Sequence, residues 1–373
     1  MVGPQFKNIV IDCRMYKASG IGRYLQNLLP SIIEKTEYSI SLLGNPNELD
    51  DYIRYPTVQV IPFADKIYSI SEQWHYRKVI PPCDLFWSPH FNVPLLPIRA
   101  AKRLVTIHDA YHLAFKNQLS RKERLYADVV YRAAMSRSDK IITVSNFSKN
   151  ELTKHTRFKH PEKIDVIHNG INQISVSTPI IIARQTIPYL LYVGNVKPHK
   201  NLKSALLGFA DYVQRIQLTP APLKFMIVGK KEGFLNGDTE IAGIINDNIY
   251  LKDRVQFTGY VSDEQLAQLY IHAKVFVFPS LYEGFGFPPL ESMSYGTPVI
   301  CSNAACMPEI CGNAVLYIDP LNAQSISDAI HRLMSEPDQY DTLVTKGYHQ
   351  IKQFSWRASI SSHINTIEQL LNT

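Results

Sequence analysis

The stretch VFVFPSLYEGFGFPPLESMSYGTPVI, residues 275–300, contains a complete strand–helix–strand unit. Val275–Phe278 and Pro298–Ile300 are short apolar runs, which indicate strands buried on both faces, as in a parallel sheet. Between them, Pro288 and Pro289 suit a first helical turn, where backbone amides have no partner within the helix. Gly296 is typical of a helix end, so the helix should run to about residue 295. The unit predicts an α/β protein.

The same alternation recurs along the whole chain. In the first half the predicted strands are Asn8–Ile11, Tyr38–Leu43, Leu85–Trp87, Leu104–Ile107 and Ile141–Val144, with helices at Gly22–Lys35 and Arg121–Arg137. In the second half they are Tyr189–Val193, Lys224–Val228, Val255–Phe257, Val275–Phe278, Pro298–Ile300 and Val315–Ile318. We therefore expect two doubly wound, Rossmann-like domains. Ile171–Pro188, which has a single charged residue, is the predicted connection between a domain of residues 1–170 and a second one from 189.

Composition excludes several classes of protein. The 373 residues are 45% hydrophobic and 19% charged, as in an ordinary globular protein. No apolar run approaches the ~18 residues of a membrane span, and the N-terminus lacks the apolar stretch of a signal peptide. We expect a soluble, cytoplasmic protein. The five cysteines include no CxxC pair, and the spacing of Cys301, Cys306 and Cys311 matches no zinc motif, so we expect reduced, partly buried thiols and no metal.

The charge is uneven along the chain. Of the net +6, residues 1–170 contribute +8, with 24 lysines and arginines against 16 acidic residues. A basic half favours an anionic partner. Because no arginine-rich tract or aromatic RNA-binding signature accompanies it, we expect a phosphorylated acceptor or an acidic membrane surface rather than a nucleic acid.

The element Glu283–Glu291 carries the strongest chemical signal. Gly284 and Gly286 let the backbone approach a ligand closely, and the free amides at the helix start, with the helix dipole behind them, would face an anion. The two glutamates flank this anion site, and the natural partners of carboxylates are hydroxyl groups. Together these features predict a sugar–phosphate ligand. The plainer alternative is an ordinary strand–turn–helix with solvated glutamates.

Other polar residues follow predicted strands, at the edge of the sheet where ligands of such folds bind. Lys200, in the segment Gly194–Leu202, would neutralise a phosphate leaving group. His108 and Asp109 follow a strand of the first half, as does the segment Trp87–Asn92. The segment Ser19–Tyr24 lacks the third glycine of a dinucleotide fingerprint, which disfavours a nicotinamide-dependent dehydrogenase.

Taken together, the chain resembles the retaining glycosyltransferases of family 4, which have the GT-B fold, over nearly its full length. The motifs that carry the resemblance are Ser19–Tyr24, His108-Asp109, Val144–Ser148, His168–Gly170, Tyr192–Gly194, Pro198–Asn201, Phe257–Val261, Glu283 with Glu291, and Phe354–Trp356. The resemblance implies two domains facing a cleft. Residues 189–354 would form the nucleotide-sugar domain, and residues 355–373 a helix that returns to the acceptor-binding domain.

The resemblance also implies roles for particular residues. Glu291 would bind the ribose of the donor, Glu283 the donor sugar and Lys200 the diphosphate, while His108 would lie beside the reacting carbon. His108, Glu283 and Lys200 are thus the predicted catalytic residues. Further donor-binding residues would be Gly22, Asn195, Tyr260, Val261, Gly284, Phe285, Gly286 and Phe287. Predicted acceptor-side residues are Tyr16, Lys17, His90 and Asn92.

The expected reaction is transfer of a hexosyl group from a nucleotide-diphosphate sugar, with retained configuration and without a metal or cofactor. Glucose from UDP-glucose is the preferred donor, and the acceptor would be a saccharide or a polyprenyl-diphosphate-linked saccharide at the inner face of the membrane. The alternatives are GDP-mannose as donor, a nucleotide-sugar epimerase and a non-catalytic sensor. Asn195 and His199 stand where many members of the family carry arginine, which leaves fewer positive charges for the diphosphate.

Overall fold

A computed structural model describes residues 6–172, 187–216, 223–229 and 239–373 of the chain. The structure divides into two compact units. The first comprises residues 1–170 together with 356–373, and the second comprises residues 171–355. Most of the predicted connection, residues 173–186, lies outside the described residues.

The first unit is a parallel sheet flanked by helices. Its strands are β1 (Asn8–Asp12), β2 (Ser39–Gly44), β3 (Val58–Pro62), β4 (Cys83–Ser88), β5 (Ala100–Ile107), β6 (Lys140–Thr143) and β7 (Ile164–Val166). Its helices before residue 170 are α1 (Ser19–Lys35), α2 (Asp50–Ile53), α3 (Ile70–Val79), α4 (Tyr111–Ala114), α5 (Arg121–Arg137) and α6 (Asn146–Thr156). In the described residues, the seven strands are ordered β3-β2-β1-β4-β5-β6-β7.

The second unit repeats this architecture. Its strands are β8 (Tyr189–Val193), β9 (Lys224–Val228), β10 (Val255–Gly259), β11 (Val275–Phe278), β12 (Val299–Ser302) and β13 (Leu316–Ile318). Its described helices are α7 (Leu202–Arg215), α8 (Thr239–Asp247), α9 (Asp263–His272), α10 (Phe287–Ser294), α11 (Met307–Cys311), α12 (Ala323–Ser335) and α13 (Pro337–Gln350). In this part of the chain, six parallel strands are ordered β10-β9-β8-β11-β12-β13.

The prediction of two doubly wound Rossmann-like domains is confirmed, because both sheets have the order typical of that fold. Every apolar run that the sequence indicated is a strand, with some ends displaced by a few residues. Two strands, β3 and β7, were not predicted. They are the two edge strands of the first sheet, only partly buried and in the case of β7 three residues long, so neither shows a continuous apolar run.

The final helix, α14 (Trp356–Asn372), belongs to the first unit, where it packs against α1, β4 and β5. His363 and Ile367 on this helix are fully buried. Where the chain re-enters the first unit, Gly170 lies against Trp356, and a Cβ on Gly170 would be 2.1 Å from the Trp356 backbone nitrogen. Only a residue without a side chain fits at this contact.

All five cysteines are free, and all are buried, whereas the sequence predicted partly buried thiols. Across the described segments, no helix has the length and apolar character that a bilayer crossing requires.

We expect Gly170→Ala to lower the free energy of unfolding by about 2 kcal/mol or more, because the new methyl group must displace the backbone of Trp356. Urea denaturation followed by far-UV circular dichroism measures this change. The matched control is Gly20→Ala, since a Cβ at that position in α1 would have no atom within 4 Å. Equal midpoints for the two variants would contradict the close contact.

Candidate active site

In the second unit the strand order reverses between β8 and β11, and a crevice opens outside the carboxyl ends of strands at such a point. The loop after β8 leads to the short helix Pro198–Lys200, and the loop after β11 leads to α10. The two loops are joined directly, because the Leu281 amide donates a hydrogen bond of 2.7 Å to the His199 carbonyl. The predicted donor residues of both loops therefore lie around one point of the sheet edge.

Lys200 and Glu283 meet at this point. The Lys200 Nζ lies 2.6 Å from the Glu283 Oε1, and the two side chains are 23% and 13% exposed. The same ammonium group lies 6.0 Å from the centre of the Phe278 ring. The sequence predicted a role for each residue but not this ion pair, which sets a cation and a carboxylate side by side at this edge of the sheet.

Asn201, next to Lys200 in the chain, joins three loops of this edge, a role that the sequence did not predict. Its backbone is left-handed, with φ of 56°. Its Nδ2 donates to the carbonyls of Pro279 and Pro320, at 3.1 and 2.7 Å, and so ties the loops after β8, β11 and β13 together. Asparagine is one of the few residues that tolerates this conformation, and its presence just before a helix was the available signal.

The start of α10 is shaped by Gly286, whose φ of 90° favours glycine, and a Cβ there would lie 2.4 Å from the Met307 side chain. Cys306 supports the same loop by donating a hydrogen bond of 3.3 Å to the Phe285 carbonyl. The Phe285 ring is buried and packs edge-on against Phe354. Phe285 therefore offers a ligand its backbone rather than its ring.

Glu291 lies one helical turn into α10, where its Oε2 accepts a hydrogen bond of 3.1 Å from the Tyr270 hydroxyl. Tyr270, on α9, is buried and stacks on Tyr295 with ring centres 5.7 Å apart. This support for Glu291 comes from a neighbouring helix. Tyr270 was not predicted, because nothing in the local pattern of α9 distinguishes it from a core aromatic residue.

Three further predicted donor residues, Asn195, Tyr260 and Val261, lie in loops of the second unit. Tyr260 follows β10 and is 84% exposed, next to Gly259 with φ of 73°. Val261 is partly buried, and Asn195 after β8 is exposed. In the described residues no cluster of three or more His, Cys, Asp or Glu side chains is placed to hold a metal ion.

The first unit has its own strand reversal, between β1 and β4, and a buried polar network lies there. Arg14 forms ion pairs with Asp12 at 2.7 Å and with Glu72 at 2.8 Å, and all three side chains are buried. Burial acts to raise the pKa of Asp12, but the guanidinium of Arg14 lowers it below its usual value. Asp12 and Arg14 line a small pocket. Arg14 is thus neutralised by two carboxylates within the unit.

His90 and Asn92 line the same pocket. The His90 Nδ1 accepts a hydrogen bond from the backbone amide of Asn92. In the neutral ring Nε2 therefore carries the proton, and it donates to the Tyr68 hydroxyl 3.0 Å away. Burial lowers the pKa of His90 to about 3. The Asn92 side chain is buried, donates to Glu72 and accepts from the Tyr126 hydroxyl. The side-chain amide of Asn92 therefore supports the wall of the pocket.

His108 follows β5 as predicted. Its Nε2 lies 3.0 Å from the Pro89 carbonyl, which can only accept, so Nε2 carries a proton. Burial lowers the pKa of His108 despite this hydrogen bond and the nearby Asp109, so the ring is neutral at pH 7 and its Nδ1 keeps a lone pair.

Of the other predicted residues of the first unit, Tyr16 and Lys17 lie in the turn before α1, and Gly22 lies in its first turn. The Tyr16 hydroxyl contacts the Tyr52 hydroxyl at 3.1 Å, and the Lys17 ammonium lies 5.6 Å from the Tyr16 ring centre. Gly22 packs against the Tyr16 carbonyl. Gly22 and the acceptor-side residues thus belong to the first unit, whereas Lys200, Glu283 and Glu291 belong to the second.

Two Rossmann-like units, each with polar groups where its strand order reverses, are typical of the GT-B fold. The family model for "Glycosyl transferases group 1" matches residues 179–350, and that for "Glycosyltransferase Family 4" matches residues 18–173. Together they match most of both units. The chain belongs to glycosyltransferase family 4.

Curated relatives include two mannosyltransferases. O-antigen chain mannosyltransferase B of Escherichia coli is 28% identical over 295 residues, which cover 77% of this chain and 74% of that protein. O-antigen chain mannosyltransferase RfbU of Salmonella typhimurium is 29% identical over 254 residues, which cover 68% of this chain and 66% of that protein. These names favour the mannosyl alternative over the glucosyl reading that the sequence analysis preferred.

Solved structures confirm the GT-B fold. Sucrose-phosphate synthase from Thermosynechococcus elongatus superposes with a TM-score of 0.76 at 21% identity, covering 98% of this chain and 99% of that one. Anabaena HepE, solved with UDP and glucose, also gives 0.76, at 16% identity and with 97% and 100% coverage. At such identities the likeness concerns the fold alone.

Because folding keeps His90 and His108 neutral while the unfolded chain protonates histidines near pH 6.5, we expect the free energy of unfolding to fall as the pH falls below about 6.5. Replacing one of these buried histidines should make the free energy of unfolding depend less on pH. His90→Gln should lower the slope between pH 4.5 and 6 by roughly 1 kcal/mol per pH unit, measured by urea denaturation across that range.

The control is His272→Gln, a substitution at an exposed histidine on α9. This variant should keep the slope of the wild type. A slope that is the same in His90→Gln and in the wild type would show that His90 titrates alike in the folded and unfolded chains.

Proposed function

We propose that this protein is a retaining mannosyltransferase that transfers mannose from GDP-mannose to a saccharide or polyprenyl-diphosphate-linked saccharide, without a metal or cofactor. The observation that carries the assignment of the donor site is the Lys200–Glu283 pair beside the start of α10. The choice of mannose is supported by the names of the two O-antigen relatives.

The donor would be held by groups of opposite character. Lys200 and the backbone amides just before Pro288, at the start of α10, suit the diphosphate, because both present positive charge to an anion. Glu291, oriented by Tyr270, suits the ribose hydroxyls. Glu283 suits the hydroxyls of the sugar, and its pairing with Lys200 keeps a hydroxyl-binding group next to the phosphate-binding one.

The proposed reaction breaks the bond between the anomeric carbon and the diphosphate oxygen. Lys200 and the helix amides would stabilise the charge that develops on the leaving diphosphate, so no metal is required for that purpose. The acceptor oxygen would attack on the same face, passing its proton to the departing phosphate, which retains the configuration. His108, with its Nδ1 lone pair, would contact the donor sugar beside the reacting carbon.

We also propose that the first unit contacts an anionic membrane surface, where a lipid-linked acceptor is found. On α5, Leu125 and Val129 are 68% and 45% exposed, one turn apart, and Arg121 and Lys122 flank them on the exposed face. An apolar stripe between cations is the pattern of helices that lie on acidic lipid surfaces. Asp128 on the same helix is paired with Arg132 and Lys116.

Calorimetric titration with GDP and UDP tests the donor assignment. We expect GDP to bind more tightly, and Glu291→Ala to weaken that binding about tenfold or more, because a hydrogen-bonding partner of the ribose is lost. Glu264→Ala, at an exposed glutamate on α9, is the control and should bind GDP like the wild type. Preferential binding of UDP would favour UDP-glucose as the donor. If neither GDP nor UDP bound, the proposed donor site would be refuted.

Turnover tests the rest of the proposal. With GDP-mannose and a polyprenyl-diphosphate-linked saccharide, we expect transfer that persists in EDTA and gives an α-linked product by NMR. Inversion of configuration or loss of activity in EDTA would contradict the mechanism. Release of an isomerised sugar without acceptor would identify an epimerase.

Flotation with vesicles that contain phosphatidylglycerol tests the membrane contact. We expect the wild type to float and to be released as the salt concentration rises. The double variant Leu125→Ser, Val129→Ser should float at least fivefold less, since the apolar stripe no longer enters the lipid. The control Ile249→Ser removes an equally exposed apolar residue from the second unit. Equal flotation of the two variants would refute this contact face.

A further inference from the structure

A chain of buried hydrogen bonds links the last helix of the protein to the surroundings of His108. Its members are Trp87, Thr106, Tyr24, His363 and Ser359. Tyr24 lies on α1, Trp87 and Thr106 on β4 and β5, and His363 and Ser359 on α14. All five are buried. The sequence analysis assigned no role to His363.

The direction of every bond in this chain is determined by chemistry. The Ser359 carbonyl can only accept, so the His363 Nδ1, 2.7 Å away, carries a proton. Burial lowers the pKa of His363 to about 4, so the ring is neutral at pH 7 and its Nε2 is an acceptor. The Tyr24 hydroxyl must therefore donate to the His363 Nε2, at a distance of 2.6 Å.

The other end of the chain is equally fixed. The Trp87 Nε1 can only donate, and it does so to the Thr106 Oγ1 at 3.0 Å. Since the Tyr24 hydrogen is used on His363, the Thr106 hydroxyl donates to the Tyr24 oxygen at 2.9 Å. Tyr24 is thus held by a donor and an acceptor at once, which leaves its ring a single orientation.

The Tyr24 ring packs directly against the His108 ring. The Tyr24 and His108 rings meet at 90° with their centres 4.9 Å apart. The Tyr24 ring also contacts Trp87, with ring centres 6.3 Å apart. Among the described residues, His108 makes a side-chain hydrogen bond from Nε2 to the Pro89 carbonyl, and the edge-on contact with Tyr24 restricts rotation of the imidazole about it.

We propose that His363 is a positioning residue for catalysis: through Tyr24, it fixes the imidazole plane of His108 and with it the direction of the Nδ1 lone pair. The inference rests on the proposed function of His108. Under this proposal, α14 both covers the sheet of the first unit and orients His108. A positioning residue acts through another group, so its loss should impair turnover more than donor binding.

The test uses three variants of the full chain. His363→Phe keeps an aromatic side chain but removes the acceptor, Tyr24→Phe keeps the ring but removes the hydroxyl, and His363→Gln restores an acceptor. We expect kcat to fall about tenfold in the first two, with the dissociation constant of the nucleotide within twofold of wild type, and to recover to within about threefold in His363→Gln. Ile367→Val, at a fully buried site on the same helix, is the control for loosened packing and should keep kcat.

NMR of protein labelled with ¹⁵N-histidine gives a readout that needs no turnover. In the wild type, the His108 signals should show a single tautomer protonated at Nε2. In His363→Phe and Tyr24→Phe they should broaden or report a mixture, and in His363→Gln they should sharpen again. If the protein transferred no sugar, the proposed function would fail while these signals would still decide whether His363 orders His108.

Two results would overturn the inference. One is wild-type kcat and wild-type His108 signals in both His363→Phe and Tyr24→Phe, with only the melting temperature lowered, which would assign His363 a purely structural role. The other is an equal loss of kcat in Ile367→Val. If His363→Phe failed to fold, kcat and the His108 signals would be compared between Tyr24→Phe, which lacks the hydrogen bond, and His363→Gln, which keeps an acceptor for it.

Discussion

The chemistry of this protein depends on the reversal of strand order in each parallel sheet. Because β8 lies between β9 and β11, the loops that leave β8 and β11 diverge to opposite faces of the sheet and leave a crevice at its edge. Lys200 and Glu283 occupy these two loops, 83 residues apart in the chain, and meet at 2.6 Å. The first sheet repeats the arrangement with β1 and β4, where Arg14 is enclosed by carboxylates.

Each charged group at these edges is held by neighbours that the ligand does not need to touch. Asn201 ties three loops beneath Lys200, Tyr270 orients Glu291 from the adjacent helix, and Cys306 with Met307 supports the loop at Gly286. Such supporting contacts matter because a catalytic group gains from being fixed before the ligand arrives. The buried chain that ends at His363 supplies the same support to His108 from the far end of the polypeptide.

Much of this could be predicted from the sequence, for definite reasons. A strand buried on both faces is apolar at nearly every position, so β8 and β11 can be predicted from their continuous apolar runs. The half-exposed edge strand β3 has no such run. The site residues after β8 and β11 could be found because function concentrates at one end of parallel strands. Asn201, Tyr270 and His363 could not, since asparagines before helices, aromatic residues on helices and lone histidines are usually structural.

The fold class, the positions of most strands and the residue types at the candidate site follow from the amino-acid sequence, because they depend on local patterns of apolar residues, glycines and prolines. Which side chains contact one another follows from the three-dimensional fold. The pairing of Lys200 with Glu283, the burial that keeps His90 and His108 neutral, and the contact of Tyr24 with both His363 and His108 arise from residues distant in the chain. Hydrogen bonds and pKa shifts depend on distance and desolvation in three dimensions, and no local pattern encodes either.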